Sequence, residues 1–576
     1  MPADDIADLL KRGREAREAG RRDEAIALFE AAGAADPASF IPPQEVGLTL
    51  LQAGERARSA EALRRAVALE PRAWRAFGWL GVALRNIAPL EALEAYDRSL
   101  ALKPDEPSTQ NNRGNVLLDL GRYEEAEAAF TAALALQPGY DVGHVNRGRA
   151  LFQQGRYADA LAAFDTAIAL NPQAAGSHFE RGAALMGLER WAEAKASYEQ
   201  AIALNPNHAM AHLGRARAIV ELDFLEPVSA GTNLEALASF DRAIALDPGF
   251  SEIRWSRALT SLRLGRYHEG WDDYEHRWKA QSFISRSSSF VTADLRARLT
   301  PNLTRESLAG RRVVLVAEQG VGDIMMFAAM IPQVMATAAS TALICASRFH
   351  RLFRASFPGL EFIGLGAPLG PDDVVVAIGS LASLYWRDAA DIPGTPYLTA
   401  SPEALADWAG RLGPRTAPLR VGVSWRGGLD YTAGAARSLT LERMAPVLDL
   451  PGCEFVNLQY GDVDAELAAF NQGRANPVRP MPGDTSDFED LAALVQNLDV
   501  VVSVQTAVVH LSGATGTPCL AMIPRKPEWR YGVAGEDLPW YRSVRLFRQG
   551  VEGDWAPVLA KVADEVRRRA EEAAAA

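Results

Sequence analysis

The chain has 576 residues, enough for roughly three to five domain-sized units. Its hydrophobic content of 48% and charged content of 23% are those of a soluble globular protein, and its net charge of −12 argues against general nucleic-acid binding. No run of eighteen apolar residues predicts a membrane span. Only Cys345, Cys453 and Cys519 are present, far apart and without Cys/His zinc spacing. A disulfide scaffold and a metal site are therefore not expected. The opening MPADDIADLLKRG is acidic and amphipathic and lacks the basic and apolar regions of a secretion signal. A cytoplasmic location is the expectation.

The first half is periodic. NNRGNVLLDLGRYEEAEAAFTAALALQP (111–138), VNRGRALFQQGRYADALAAFDTAIALNP (145–172) and FERGAALMGLERWAEAKASYEQAIALNP (179–206) repeat with a step of 34 residues. Gly114, Gly148 and Gly182 keep that step, as do Ala126, Ala160 and Ala194, the aromatics Phe130, Phe164 and Tyr198, and Pro138, Pro172 and Pro206. This is the pattern of the tetratricopeptide repeat (TPR). Small Gly and Ala let paired helices approach closely, the aromatic is expected to fill the groove to the next repeat, and proline ends the second helix. The signature extends back through Pro104, Pro71 and Pro37 and forward past an insertion to Pro248, with a capping unit at 254–278. Eight units over 1–280 form an expected α-solenoid. Such arrays bind extended peptides or protein surfaces, with dimerisation or a spacer role as the alternatives. Asn112 and Asn146 lie one repeat apart on first helices and are candidate peptide ligands; solvation, or bracing of the inter-repeat turn, is the other reading.

The period stops near residue 281. A Ser-, Thr- and Arg-rich stretch to 310 reads as a linker. Strands are then expected at 313–316, 341–347, 361–366 and 373–380. A second set comes after the Pro/Gly-rich crossing 391–402, at 420–425, 454–459, 499–504 and 518–523. A helix is expected at 324–336, with Pro332 a kink, and a last one at 556–572. Two βα sets predict two doubly wound α/β halves, 311–400 and 401–576, facing a cleft.

Ligands of such sheets bind beyond the carboxyl ends of the strands. After the first strand comes Glu318-Gln319-Gly320-Val321-Gly322-Asp323. The glycines permit a tight turn and close backbone approach, and Asp323 is placed at a helix N-cap, a position where many aspartates have no further role. After the first strand of the second half, SWRGGLDYTAGAARSLT (424–440) carries Arg426 and Arg437, suited to a phosphate or carboxylate. After a later strand, Thr506 opens a helix whose free N–H groups can hold an anion, with His510 one turn on.

These residues carry a resemblance. AEQGVGDIMMF, GVSWRGG, RSLTLERMAPVL, NLQYGD, DTSDFEDLAALVQNLDVVVSVQTAVVHLSGATGTP, EWRYG and PWYRSVRLFRQGVEGDW, in this order over 310–572, resemble the glycosyltransferase domain of bacterial TPR-fused proteins. That domain is similar to the heptosyltransferases of lipopolysaccharide synthesis, a family 9-like GT-B fold. GRYHEGWDDYEHRW resembles the closing repeat of such fusions. The resemblance implies an acceptor-side half at 311–400 and a nucleotide-sugar half at 401–576. It implies Asp323 as the base that deprotonates the acceptor hydroxyl. Gln319, Gly320 and Gly322 would form the acceptor-side turn. Ser424, Arg426, Arg437, Gln459, Gln505, Thr506, Ala507 and His510 would hold the donor, and no metal or other cofactor would be needed. The family usually has Asp-Thr where this chain has Gln505-Thr506, which implies either an altered donor or lost activity. TPR-fused enzymes of this type include flagellin glycosyltransferases that use CMP-linked nonulosonic acids such as pseudaminic acid. An anionic donor sugar would account for a neutral Gln505. The expected partners are then a nucleotide sugar and an acceptor protein on the concave face of the repeats, flagellin or its chaperone. The alternatives are a non-catalytic TPR scaffold and a transferase for lipopolysaccharide or another glycan.

Overall fold

The computed structural model describes residues 3–224, 230–285, 291–428, 434–550 and 552–576. It divides into two compact units, Met1–Ala218 and Ile219–Ala576.

The first unit is a stack of helical hairpins, a TPR-type solenoid. Ala3–Glu18 pairs with Arg22–Ala35, Ile41–Gln52 with Arg56–Leu69, and Trp74–Leu84 with Pro89–Leu102. Pro107–Asp119 pairs with Tyr123–Leu136, Asp141–Gln153 with Tyr157–Leu170, and Ala175–Gly187 with Trp191–Leu204. The aromatic has a second contact besides the groove to the next repeat. Phe130, Phe164 and Tyr198 each sit on the glycine of their own hairpin, where the helices touch. A Cβ on Gly114 would lie 2.6 Å from Phe130, one on Gly148 2.5 Å from Phe164, and one on Gly182 2.7 Å from Tyr198. Tyr198 also meets the next repeat, at Gly214, and Phe130 and Phe164 share their clusters with Ala150 and Ala184 of the repeats that follow them. The repeats are stitched by a second periodic device: the Nε2 atoms of His144, His178 and His212 lie 2.9, 3.0 and 3.1 Å from the carbonyls of Pro138, Pro172 and Pro206.

The second unit begins inside the helix Ala209–Asp223 and continues with Ala230–Leu246, Ser251–Arg263 and Tyr267–Tyr274. The division thus falls before residue 280. The physical reason is aromatic packing: Trp271 lies edge-on to Phe327 and Trp529 at 6.1 and 5.6 Å, and Tyr267 meets Trp540 at 5.6 Å. These repeat-type helices share a core with the α/β region.

Residues 291–310 are not a free linker. Val291, Leu295 and Leu299 cover the first sheet, and the Thr300 amide donates to the Val375 carbonyl at 2.8 Å. That sheet contains β1 (Arg312–Val316), β2 (Ser340–Ile344), β3 (Glu361–Phe362) and β4 (Val374–Ala377), all parallel, in the order β3-β2-β1-β4. The second sheet contains β5 (Leu419–Ser424), β6 (Cys453–Asn457), β7 (Val500–Val504), β8 (Cys519–Ile523), β9 (Asp537–Leu538) and β10 (Tyr541–Arg548), in the order β6-β5-β7-β8-β10-β9. Only β9 runs antiparallel to its neighbour. The central strands are runs of Val, Leu and Ile buried on both faces, as parallel strands covered by helices must be.

The chain leaves β1 toward β2 and returns to its other side as β4. It leaves β5 toward β6 and returns as β7. Each sheet therefore has its switch point beside its first strand, where a crevice opens at the strand ends. The helix after β1 runs Val321–Ala328 and a separate one runs Ile331–Met335, so Pro332 starts a helix instead of kinking one. The last helix, Ala556–Ala575, buries Val558, Leu559, Val562 and Val566 in the core of the second sheet. Among the described residues no helix is long and apolar enough to cross a membrane, and no cluster of His, Cys, Asp or Glu is placed to hold a metal ion.

Candidate functional site

The loop after β1 is built under strain. Gln319 takes φ 66°, unusual for a residue with a side chain, and its amide donates to the Tyr274 hydroxyl. Glu318, fully buried, forms a two-pronged ion pair with Arg277, and its Oε1 also accepts from the Gly379 amide at 3.1 Å. The Arg277 guanidinium reaches on to Ser380 at 2.8 Å and Glu275 at 2.6 Å. The capping helices therefore pin this turn from behind.

Asp323 is not the N-cap. Gly320 is, and Asp323 stands three residues on, its Oδ2 accepting from the Gly320 amide at 3.2 Å. The reason is the turn at 318–320: with Gln319 left-handed, the helix starts at Val321 and carries the carboxylate inward to 7% exposure. There Asp323 is ion-paired with Arg530, which comes after β8. Burial pushes the Asp323 carboxyl above the ordinary aspartate range, against the pull of Arg530.

The helix Ala507–Thr515 faces this turn. Thr506 is its N-cap, accepting from the Val508 amide at 3.2 Å and lying 3.0 Å from the Ser503 hydroxyl, and Ala507 opens the helix. His510 packs directly on Gly322, where a Cβ would stand 2.7 Å from the imidazole Cδ2. Its Nδ1 lies 3.2 Å from the Tyr541 hydroxyl and its Nε2 3.3 Å from that of Tyr531. Burial, with Arg530 nearby, pushes its pKa down to about 3, so the ring is neutral. His510 thus joins the two sheets' loops and has both nitrogens engaged.

The structure brings Asp323 and Arg437 into one network. Arg530 lies 3.6 Å from Glu528, and Glu528 lies 3.9 Å from Arg437. Arg437 also packs against Gly427, where a Cβ would sit 3.2 Å from the arginine Cβ and 3.0 Å from the Gln505 carbonyl. Gln505 is 2% exposed, and among the described residues neither its side-chain oxygen nor its nitrogen has a hydrogen-bond partner. A buried amide left this way is costly unless a ligand or water meets it.

Arg426 is not drawn into that network. It is half exposed and pairs with Glu466 at 2.7 Å, which also accepts from the Trp425 indole at 3.0 Å. Gln459 shapes the loop: its Oε1 accepts from the Ser424 hydroxyl and from the amides of Trp425 and Arg426 at 3.1, 3.0 and 2.8 Å. Ser424 and Gln459 are accordingly buried against one another. In the repeats, Asn146 faces Asn111, its Nδ2 donating at 2.9 Å, and both are buried. Its candidate role as a peptide ligand is corrected to that of an inter-repeat brace, while Asn112 stays partly accessible.

Sequence reasoning gave no role to Glu528, Arg530, Tyr531, Tyr541 or the Arg277–Glu318 pair. Glu528 and Arg530 were findable, because they lie beyond a buried strand at its carboxyl end. The tyrosines lie within the EWRYG and PWYRSVRLFRQGVEGDW stretches, but nothing local marks their contact with His510.

Residues 47–107, 89–141, 111–175, 145–188 and 175–208 match the tetratricopeptide repeat. The chain is 30% identical over 337 residues to Protein FlbA of Caulobacter vibrioides, covering 55% of each, so it spans about half the length of the curated relative it matches. Among solved structures it is similar to PilF of Pseudomonas aeruginosa, at 23% identity over 39% of this chain and 98% of that one, TM-score 0.33. It is similar also to YrrB, described as a TPR protein with an unusual peptide-binding site, at 21% identity over 32% and 95%, TM-score 0.29.

Proposed function

We propose that the chain is an inverting, metal-independent glycosyltransferase of GT-B type that moves a sugar from a nucleotide donor to a hydroxyl of a protein held by the repeats. One observation carries this reading: a buried carboxylate from the first sheet, Asp323, is linked through Arg530 and Glu528 to Arg437 at the switch point of the second sheet, beside the unpartnered amide of Gln505. In the proposed reaction the acceptor hydroxyl attacks the anomeric carbon. Its proton passes to Asp323, the new C–O bond forms, and the bond to the nucleotide phosphate breaks. Arg437 and the amides after Thr506 take up the charge on the leaving phosphate. A base paired to arginine is weak, so the donor's phosphate would draw Arg530 away and free Asp323 for the proton.

The best-supported acceptor is flagellin or its chaperone, on the resemblance to TPR-fused flagellin glycosyltransferases, with a CMP-linked nonulosonic acid as donor. Gln505 in place of a carboxylate favours an anionic sugar. A non-catalytic scaffold is the second reading, favoured by the ion pair that occupies Asp323.

Calorimetric titration with CMP and with CMP-, UDP-, GDP- and ADP-linked sugars separates the two. The transferase reading expects one nucleotide series to bind, and Arg437→Ala to weaken it by about tenfold or more. Binding of none would leave the scaffold.

A further inference from the structure

A hollow of about 370 Å³ lies between the helix Ser251–Arg263 and the loops after β5 and β8. Among the described residues, Arg263, Arg437 and Lys526 line it together with Phe224, Trp529 and one carboxylate, Glu528. Its wall is fastened. Arg525 Nε donates to the Phe224 carbonyl at 2.5 Å, and the Lys526 ammonium lies 2.5 Å from Glu221 and 5.7 Å from the centre of the Phe224 ring.

Arg263 is the unusual member. It is 5% exposed and stacks on Phe224 at 4.3 Å. Its Nη2 donates to Asp223 at 3.1 Å and to Asn233 at 3.2 Å, but among the described residues Nε and Nη1 have no partner. Guanidinium N–H groups buried without acceptors are rare, because the group gives up water and gains nothing. Burial also pushes its pKa down, as a cation short of partners requires. The arginine is particular to this unit, where it pairs with buried Asp223, because the equivalent positions 119, 153 and 187 are Asp, Gln and Gly. Arg263 lines the hollow, and its two unpartnered nitrogens lie buried at that wall.

We propose that this hollow is an oxyanion subsite of the donor pocket, and that Arg263, carried by a repeat-type helix, contacts either a phosphate or the carboxylate of an acidic sugar. The proposal rests on the transferase reading. It makes the last repeats part of the substrate site as well as part of the acceptor platform. The planar guanidinium suits either oxyanion. Phe224 and Trp529 supply an apolar wall for the rest of the ligand.

The test is calorimetry on the full chain with four probes: CMP, inorganic phosphate, free N-acetylneuraminic acid and CMP-N-acetylneuraminic acid. Arg263→Gln and Arg263→Lys are each expected to weaken an anionic probe about tenfold, because lysine keeps the charge for Asp223 but lacks the remaining N–H groups. Loss on CMP, phosphate and CMP-N-acetylneuraminic acid but not on the free sugar acid identifies a phosphate subsite, and loss confined to the two sugar acids a carboxylate subsite. Lys526→Ala, at a rim side chain 58% exposed, is the second variant if the Arg263 variants do not fold: weaker binding of an anionic probe supports the subsite, and unchanged binding overturns it. Unchanged affinity for every probe in the folded variants, with nucleotide sugars still bound, overturns the subsite and leaves the transferase reading intact. Arg263-dependent binding of phosphate or sugar acid without any nucleotide-sugar affinity keeps the subsite and removes the transferase reading. A chain that binds none of the four probes overturns the subsite, and the transferase reading falls with it only if the UDP-, GDP- and ADP-linked sugars also fail to bind.

Discussion

Asp323 and His510 show how burial sets chemistry one residue at a time. The imidazole titrates at about 3 in the fold, against an ordinary 6.5. Below 6.5 the unfolded chain takes up a proton that the folded chain refuses until about 3. The neutral form's contribution is therefore complete above 6.5 and is lost as pH falls through that window, by about 1.4 kcal/mol per unit for one proton. Melting temperature against pH is predicted to fall less steeply between 6.5 and 4 for His510→Gln than for the natural chain; identical slopes would show that the ring is not neutral in the fold. Gly322→Ala drives a methyl into that ring at 2.7 Å and is predicted to cost about 1–3 kcal/mol in denaturant unfolding. The sequence showed the acid and the histidine at strand ends, which was enough to nominate them. It did not show Arg530 closing on Asp323, because that contact joins positions 207 residues apart and depends on the packing of two sheets.

Helical hairpins and buried strands are the elements most legible from residues alone. A 34-residue step in glycine, alanine and aromatic positions leaves little freedom, and Val-rich runs between turns mark parallel strands. What the pattern could not tell was the second contact of each aromatic. The glycine of the same hairpin takes it, so Gly148→Ala, with Phe164 at 2.5 Å, is predicted to destabilise by about 1–3 kcal/mol, while Gly155→Ala strains a left-handed turn at φ 74° instead. Strands β9 and β10 escaped notice because Tyr541–Arg548 mixes arginine and apolar residues at a sheet edge. Residues 291–310 looked like a linker because short polar helices hide Val291, Leu295 and Leu299, the residues that meet the sheet. The Arg277–Glu318 pair ties the capping helices to the loop after β1. Arg277→Met strands a buried carboxylate and is predicted to cost about 3–5 kcal/mol by chemical denaturation.

At the scale of the whole molecule, a repeat array and an α/β region with two sheets occupy one chain, and the compact unit that holds the sheets begins before the repeats end. The proposed function divides the labour into capture by the repeats and transfer at the loops between the sheets. The central claim is that Asp323 serves a transfer reaction. It is tested most directly by incubating the full chain with flagellin and CMP-pseudaminic acid, alongside other nucleotide sugars, and reading the intact mass of the acceptor. The account predicts added sugar mass with the natural chain and none with Asp323→Asn, which still folds and still binds nucleotide. Equal added mass from the Asn variant, or no added mass with any donor, would contradict it.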